Sequence, residues 1–576
     1  MNIFNKLKED IISAGKNIDP DIETLSLANL EIPKDPLNGD LSSNIAMIIA
    51  AKNMVNPREI AIKFKELLSD IPYIANIEIA GSGFINFTIK AGSWQDCIKE
   101  ILLSEDFGKI NIGKGEKVNI EYVSANPTGP MHIGHARCAV YGDALARLLT
   151  KCGYQVTKEY YVNDAGNQID DLTATSMLRY KEALTGEKAI IPYNLYPGEY
   201  LIDVGKKIAA QFGDSLIKMP QTDACNIIKD FVVNEMLDII KKDLRDLDIE
   251  HEIFFSEESL HKSGKITEVI NILTEMGLIY EGQLPEPKGK KSDDWSTRTQ
   301  KLFKSSVFGD SQDRPVQKSD SAWSYLASDL AYAKDKIDRG FDNLIYVLGA
   351  DHSGYVKRIE AIVKALGKNA VEVNVKICQL VNFVENGVPM KMSKRSGHFT
   401  TVNDVTNEVD KGIIRFMMLT RKNDVILDFD LEKVKEQSKD NPIFYVQYAL
   451  VRTNSILSNC KESIPDAYNK FTLNEYDLSL LSSEEEIHII KLLASWHKVL
   501  DGAAKHYEPH RIAFYLLNLA SKFHSLWNFR KENNDYRFLI EDNIELTASR
   551  LALAQSIQKI IKSGFDIIGI EAMTKM

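Results

Sequence analysis

Lys117-Val-Asn-Ile-Glu-Tyr-Val-Ser-Ala-Asn-Pro-Thr-Gly-Pro-Met-His132-Ile-Gly-His135 carries the reading that decides the fold of this 576-residue chain. Val118, Ile120 and Tyr122 alternate with polar neighbours, the period of a strand. Pro127, Gly129 and Pro130 then break the run. From residue 133 to 152 apolar side chains recur at three- and four-residue spacing (Val140, Ala144, Leu145, Leu148, Leu149), which predicts a helix, and Gly153 stops it. Residues 155–162 are β-rich again. Strand, tight turn, helix and strand in that order make a βαβ unit, whose crossover favours a parallel sheet. Ligands of such sheets sit beyond the carboxyl ends of the strands, where a helix N-terminus offers free N–H groups to phosphate. His132 and His135 fall at that helix start.

Outward from this unit the pattern divides. Residues 343–348 read as a short buried strand, followed by Gly349-Ala-Asp351-His352, a helix over 355–366 and another strand over 373–384. Between the two halves, about 170–290 departs from βαβ rhythm with long amphipathic helices such as 225–247. The expectation is a Rossmann-like parallel-sheet domain over residues 113–400 with a helical insertion at about 170–290. Residues 1–112 read as an α+β domain with an opening helix that buries Ile3, Phe4, Leu7 and Ile11 and a strand signal over 77–87. Residues 401–440 read as a helical connector and 441–576 as an all-α helix bundle, with an apolar stripe at 512–527. A polar, lysine-rich stretch, 285–321, reads as an exposed and partly mobile connection.

At this length one core is not enough, and three or four domains are expected. The net charge of −11 argues against a nucleic-acid partner, yet basic residues are locally dense at Lys288–Lys304 and Lys391–Arg395. A local basic stripe on an acidic body suffices to track a phosphate backbone. Six scattered cysteines with no C-x-x-C pair argue against a disulfide framework and a structural zinc site. No apolar run is long enough to span a bilayer, and the opening segment carries Glu9 and Asp10 rather than a signal-peptide apolar block. A cytoplasmic protein without membrane association is expected.

Reaction at the α-phosphate of ATP needs charge neutralisation and positioning more than a covalent nucleophile. Imidazoles at a helix N-terminus donate to phosphate oxygens, and two lysines on a loop follow the departing pyrophosphate. His132, His135, Lys391 and Lys394 supply that set, and Gly134 lets a nucleotide approach the backbone. Alone, H-x-x-H reads as surface or core histidine, and Lys391-Met-Ser-Lys394 as a solvated turn. A metal reading lacks the glutamate of H-E-x-x-H and any nearby cysteine ligands. In this order, around a split α/β core, the two motifs point to a nucleotide-activating enzyme.

These motifs resemble the signatures of the class I aminoacyl-tRNA synthetases, with Arg395 standing where the class pattern has serine. Over nearly its whole length the chain resembles the arginyl-tRNA synthetase family. The segments Glu121 to His135, Tyr160-Tyr-Val-Asn-Asp-Ala-Gly-Asn-Gln168, Gly349-Ala-Asp-His-Ser-Gly-Tyr355 and Asn441-Pro-Ile-Phe-Tyr-Val-Gln-Tyr-Ala-Leu-Val-Arg452 carry the resemblance. It implies activation of L-arginine with ATP and Mg²⁺ to arginyl-adenylate, then transfer to the terminal ribose of tRNA(Arg), with tRNA bound before activation. It implies a monomer and no tightly held protein metal. Catalytic roles fall on His132, His135, Lys391 and Lys394. The resemblance places ATP against Asn126, Pro127, Thr128, Gly129, Pro130, Met131, His132, Gly134, His135, Lys391 and Lys394. It places arginine against Glu121, Ser124, Asn126, His135, Tyr325, Asp329 and Asp351.

The substrate can be checked against residue types. A guanidinium needs carboxylates in fork geometry to offset its desolvation, and Glu121 with Asp329 supply two. Tyr325 and Asp329, four apart on a helical stretch, share a face. Read without the resemblance, Asp329 is a solvated helix charge and Tyr325 a core aromatic. For tRNA, the resemblance points to Phe84 and Asn86 in the first domain. Tyr448 and Arg452 are candidates in the last, with Tyr445, His510 and Trp527 as further aromatic candidates; the bland alternative is core packing. Another class I synthetase and a catalytically silent RNA-binding relative are the competing readings.

Overall fold

The computed structural model describes residues 3–33, 35–284, 299–318, 321–367, 370–385, 388–389, 400–436, 438, 441–530 and 533–573. Most of the lysine-rich 285–304 stretch and both Lys391 and Lys394 lie outside them.

A five-stranded sheet of wholly parallel strands forms the centre. Its spatial order is Glu372–Cys378, Asn343–Gly349, Lys117–Tyr122, Gln155–Val162 and Ile253–Ser256. The chain therefore builds outward in one direction from Lys117–Tyr122, then returns to lay Asn343–Gly349 on its other edge. That reversal is the switch point at which doubly wound sheets hold ligands. The helix Ile133–Lys151 crosses behind, and a side chain at Gly142 would meet the Tyr122 ring at 2.3 Å, so glycine permits this close helix–strand contact.

The alternation in Lys117–Tyr122 predicts one solvated face, but both faces are buried. A central parallel strand is covered on both sides, so its polar residues need partners within the protein. Asn119 donates to Glu159 at 2.7 Å and Glu121 accepts from Lys336 at 2.6 Å.

Four further boundaries differ from expectation. The 77–87 signal is a hairpin, Ile74–Ala80 and Phe84–Ile89, turned at Gly81 and Gly83, both with positive φ. The 373–384 run is two strands: Glu372–Cys378 stays in the main sheet, while Val381–Glu385 joins a small second sheet with Val388–Pro389 and Leu427–Asp430. The helical pattern after 402 is interrupted by that last strand. Within the stretch read as a helical insertion, Ile253–Ser256 already belongs to the main sheet. The insertion proper, helices Asn167–Thr185, Tyr200–Phe212 and Gln221–Asp246, has its own cluster of buried apolar residues.

The N-terminal hairpin packs against helices Ile45–Asn53 and Pro57–Leu68, helix Ile3–Gly15 packs on Pro57–Leu68 and Ala91–Leu103, and Ile3, Phe4, Leu7 and Ile11 are buried as expected. From Pro442–Ser463 to Ile544–Ile568 the chain is helical, and the last helix packs on both the N-terminal and the central parts.

Candidate functional site

A cavity of about 570 Å³ opens at the switch point. Strand ends build its walls: Glu121, Val123 and Ser124 follow the first strand, Tyr161 and Asn163 the second, Glu257 the third, and Tyr346, Leu348 and Gly349 the fourth. The helix Tyr325–Asp338 adds Tyr325, Asp329 and Tyr332, and the short turn after Gly349 adds Asp351 and His352. The fold thus brings together Glu121, Ser124, Asn126, Tyr325, Asp329 and Asp351.

The turn that enters the cavity is conformationally costly. Val123 and Ser124 have φ of 70° and 42°, a region that a β-branched residue adopts only when its surroundings over-determine it. Those surroundings are visible. Ser124 Oγ accepts from the Tyr161 N–H at 3.0 Å, the Ser124 carbonyl accepts from Asn163 at 3.4 Å, and Tyr160 OH donates to the Ala125 carbonyl at 2.6 Å. Farther along, Tyr200 OH donates to the Thr128 carbonyl at 2.6 Å, and Met131 N–H donates to Asp243 at 2.8 Å.

Charge is concentrated on one wall. Asp329 is half-buried, and burial pushes its carboxyl up to about 7, with Glu257 and Glu121 adding to the rise and Arg358 opposing it. Burial likewise lifts Glu257 to about 7 against a hydrogen bond from Ser328. A cation placed between these two carboxyls would favour their ionisation. Glu121 differs: its Oε2 is already paired with buried Lys336. Asn126 is exposed and donates to Gln168 at 2.8 Å, Tyr325 is 63% exposed, and Asp351 lies at the rim beside His352.

None of residues 127–135 lines this cavity. They form the adjoining turn and helix start, where the His132 and His135 rings stack with centroids 3.6 Å apart. Two helix-start donors expected to face a ligand are engaged: Ile133 N–H donates to Thr400 O at 3.2 Å and His135 N–H to His132 O at 2.8 Å. The second is a local turn bond, and the first comes from a docking contact. His132 bridges Thr401 in antiparallel fashion and Val402 N–H donates to Met131 O at 2.8 Å, so the chain just after the lysine signature is tied to the histidine signature. Gly134 is needed at least for the His132 ring, which a β-carbon there would meet at 2.8 Å.

Sequence reasoning missed Glu257. Its strand, Ile253–Ser256, ends in a serine whose side chain accepts from the Ser259 N–H as a helix cap, a signal hidden by assigning the region to an insertion.

Family models match almost the whole chain: an arginyl tRNA synthetase N-terminal domain over 3–89, a class I (R) tRNA synthetase catalytic domain over 97–457 and a DALR anticodon-binding domain over 446–576. An arginine–tRNA ligase of Rickettsia felis is 67% identical over all of both chains, and one of Rickettsia bellii is 66% identical with the same coverage. The chain belongs to the arginyl-tRNA synthetase family. The Thermus thermophilus arginyl-tRNA synthetase structure shares the fold, with a TM-score of 0.76 at 20% identity over all of both chains.

Arginyl-tRNA synthetase domains at the two ends carry the remaining candidates. Phe84 is 42% exposed, whereas Asn86 is 5% exposed and its amide faces Asn38 at 3.5 Å; Asn86 sits inside its sheet and presents nothing outward. Tyr448 is exposed with the Arg452 guanidinium 3.9 Å over its ring, and Arg452 also reaches His524. Trp527 lies between Arg452 and Arg530. His510 is buried and is a core residue.

Proposed function

We propose that this chain is an arginine–tRNA ligase, and that the cavity at the switch point takes the amino acid. Class I synthetases use ATP. In the first step a carboxylate oxygen of L-arginine attacks the α-phosphate, the bond to the β-phosphate breaks, and arginyl-adenylate and pyrophosphate result. In the second, the 2′-OH of the terminal ribose of tRNA(Arg) attacks the arginyl carbonyl, and AMP leaves. The observation that carries the substrate assignment is the cavity lining, on which Asp329 and Glu257 stand with Glu121 and Asp351 and which, among the described residues, includes no lysine or arginine.

In this reading Asp329 and Glu257 take the guanidinium, Tyr325 covers it, and Glu121, Ser124 and Asn126 hold the backbone end close to the turn, with Asp351 at the rim. His132 and His135 face the phosphates across residues 127–131, and the backbone of that turn, with Gly134, receives the nucleotide. Lys391 and Lys394 neutralise charge on the pyrophosphate as it departs. The link between Thr401, seven residues after Lys394 in the chain, and His132 supports Lys394 and His132 acting together. ATP arrives as its Mg²⁺ complex, the enzyme works as a cytoplasmic monomer, and tRNA binds before activation. Phe84 and the Tyr448–Arg452 stack contact the tRNA.

The deciding experiment is ATP–pyrophosphate exchange with each amino acid, with and without tRNA. Exchange with arginine alone among the amino acids, dependent on tRNA, is expected. Exchange with another amino acid, or with none, would overturn the reading.

A further inference from the structure

Lys336 is a fully buried cation behind the cavity wall. Its ammonium donates to Glu121 Oε2 at 2.6 Å and lies 4.3 Å and 4.2 Å from the ring centres of Tyr332 and Tyr346, two aromatics that line the cavity. Glu121 Oε1 accepts from Ser124 Oγ at 3.4 Å, and both residues line the cavity. Nearby, Glu159 is enclosed by a fork from Arg339 at 2.7 and 2.9 Å and by Tyr332 OH at 2.8 Å. Tyr332 thus touches both ion pairs and holds them as one unit.

Buried ion pairs are poor stabilisers, because the desolvation of two charges offsets their attraction, and well-packed apolar replacements are commonly as stable. What such a pair does provide is fixed geometry. Without Lys336 the carboxylates of Glu121, Asp329 and Glu257, with Asp351 at the rim, would share one cavity whose lining, among the described residues, includes no lysine or arginine.

We propose that Lys336 is a positioning residue for amino-acid selection, acting through Glu121. It neutralises that carboxylate and locks it by one oxygen, so that the other is an oriented acceptor in the cavity. The substrate's positive side chain is thereby directed to Asp329 and Glu257. The proposal rests on the cavity being the arginine site.

The test measures arginine and ATP KM, and kcat, in tRNA charging for Lys336→Met, Glu121→Gln and the double variant, with Asp329→Asn as reference. Lys336→Met should raise arginine KM about ten-fold or more, with ATP KM within about two-fold of the parent. In the Glu121→Gln background the same change should alter arginine KM less than about two-fold, because the group it acts through is gone. Equal effects in both backgrounds, or an unchanged arginine KM in Lys336→Met, overturn the proposal. If Lys336→Met does not fold, the double variant, whose two replacements are both neutral, is compared with Glu121→Gln alone, and a rise in arginine KM there overturns it. If Asp329→Asn also leaves arginine KM unchanged, the cavity assignment falls, and the proposal with it; if only Lys336→Met does, the assignment stands.

Discussion

Asp143 and Arg415 meet at 2.6 Å with neither side chain exposed. Asp143 lies two turns beyond His135 on the helix Ile133–Lys151, and Arg415 also donates to the carbonyls of Leu247 and Ile568 at 2.9 and 2.8 Å. One guanidinium therefore joins the signature helix, the end of the insertion and the last helix of the C-terminal domain. Burial works to raise the Asp143 carboxyl, and Arg415 with Arg147 overrides it and holds it below the usual range. Arg415→Met should destabilise the protein by about 2–4 kcal/mol, since it leaves the buried carboxylate with Arg147 as its remaining close partner and takes the guanidinium donor from two carbonyls. Adding Asp143→Leu should recover part of the loss in thermal melting; a single variant that melts like the parent would refute this.

Arg137, two residues beyond His135, is a cation held by carbonyls: those of Gln379, Val425 and Lys422 at 3.0, 2.6 and 2.7 Å. Gln379 precedes Val381–Glu385, and Lys422 and Val425 precede Leu427–Asp430, so Arg137 fixes the small sheet that leads toward Lys391 against the histidine helix. Arg137→Met should lower kcat for ATP–pyrophosphate exchange by about ten- to a hundred-fold through displacement of that sheet. Lys394→Ala should lower the same kcat with little change in arginine KM. In the Lys394→Ala background Arg137→Met should then add little. Additive losses would show that Arg137 acts elsewhere.

The two lifted carboxyls set a pH dependence. Asp329 and Glu257 titrate near 7 in the folded enzyme and near about 4 when unfolded. Being raised, they contribute stability that is fully present below about pH 4 and is lost as pH rises through 7. Bound arginine reverses the sign, because it favours the ionised forms. Arginine KM should therefore rise about five- to ten-fold between pH 7.5 and pH 6, and the melting-temperature gain from arginine should be larger at pH 8 than at pH 6. A flat profile would show that neither carboxyl meets the substrate.

The parts of the fold that a single chain segment determines were legible: the strand–turn–helix at 117–151 and the Tyr325–Asp338 helix follow from local periodicity. What was not legible depended on a neighbour. Asn119 and Glu121 look solvated until Glu159 and Lys336, both distant in sequence, are seen to satisfy them. Ile253–Ser256 is four residues of half-buried edge strand, too short to stand out between long helices, and Glu257 went unseen with it. Asn86 is a candidate through the resemblance; it shares a strand face with exposed Phe84 and Thr88, yet it is buried, with Asn38, distant in sequence, lying against its amide. The engaged N–H group of Ile133 depends on Thr400 docking from far along the chain, whereas that of His135 turns back locally onto the His132 carbonyl.

Val123 offers a test of whether the strained turn serves the reaction. Its left-handed backbone costs about 1–3 kcal/mol for a non-glycine residue, and Val123→Gly would remove that cost. Against this stand about 1 kcal/mol for half-burying the methyl groups and about 0.5–1 kcal/mol for the greater freedom of glycine when unfolded. These nearly cancel, so the variant should match the parent within about 1 kcal/mol in denaturant unfolding. The turn, however, would lose the side chain that wedges it between the first strand and the cavity, and Ser124 and Asn126 would no longer be held in one arrangement. A drop of about ten-fold in the rate of adenylate formation at unchanged stability is expected. A variant as fast as the parent would mean that Tyr160, Tyr161 and Asn163 hold the turn without help from Val123.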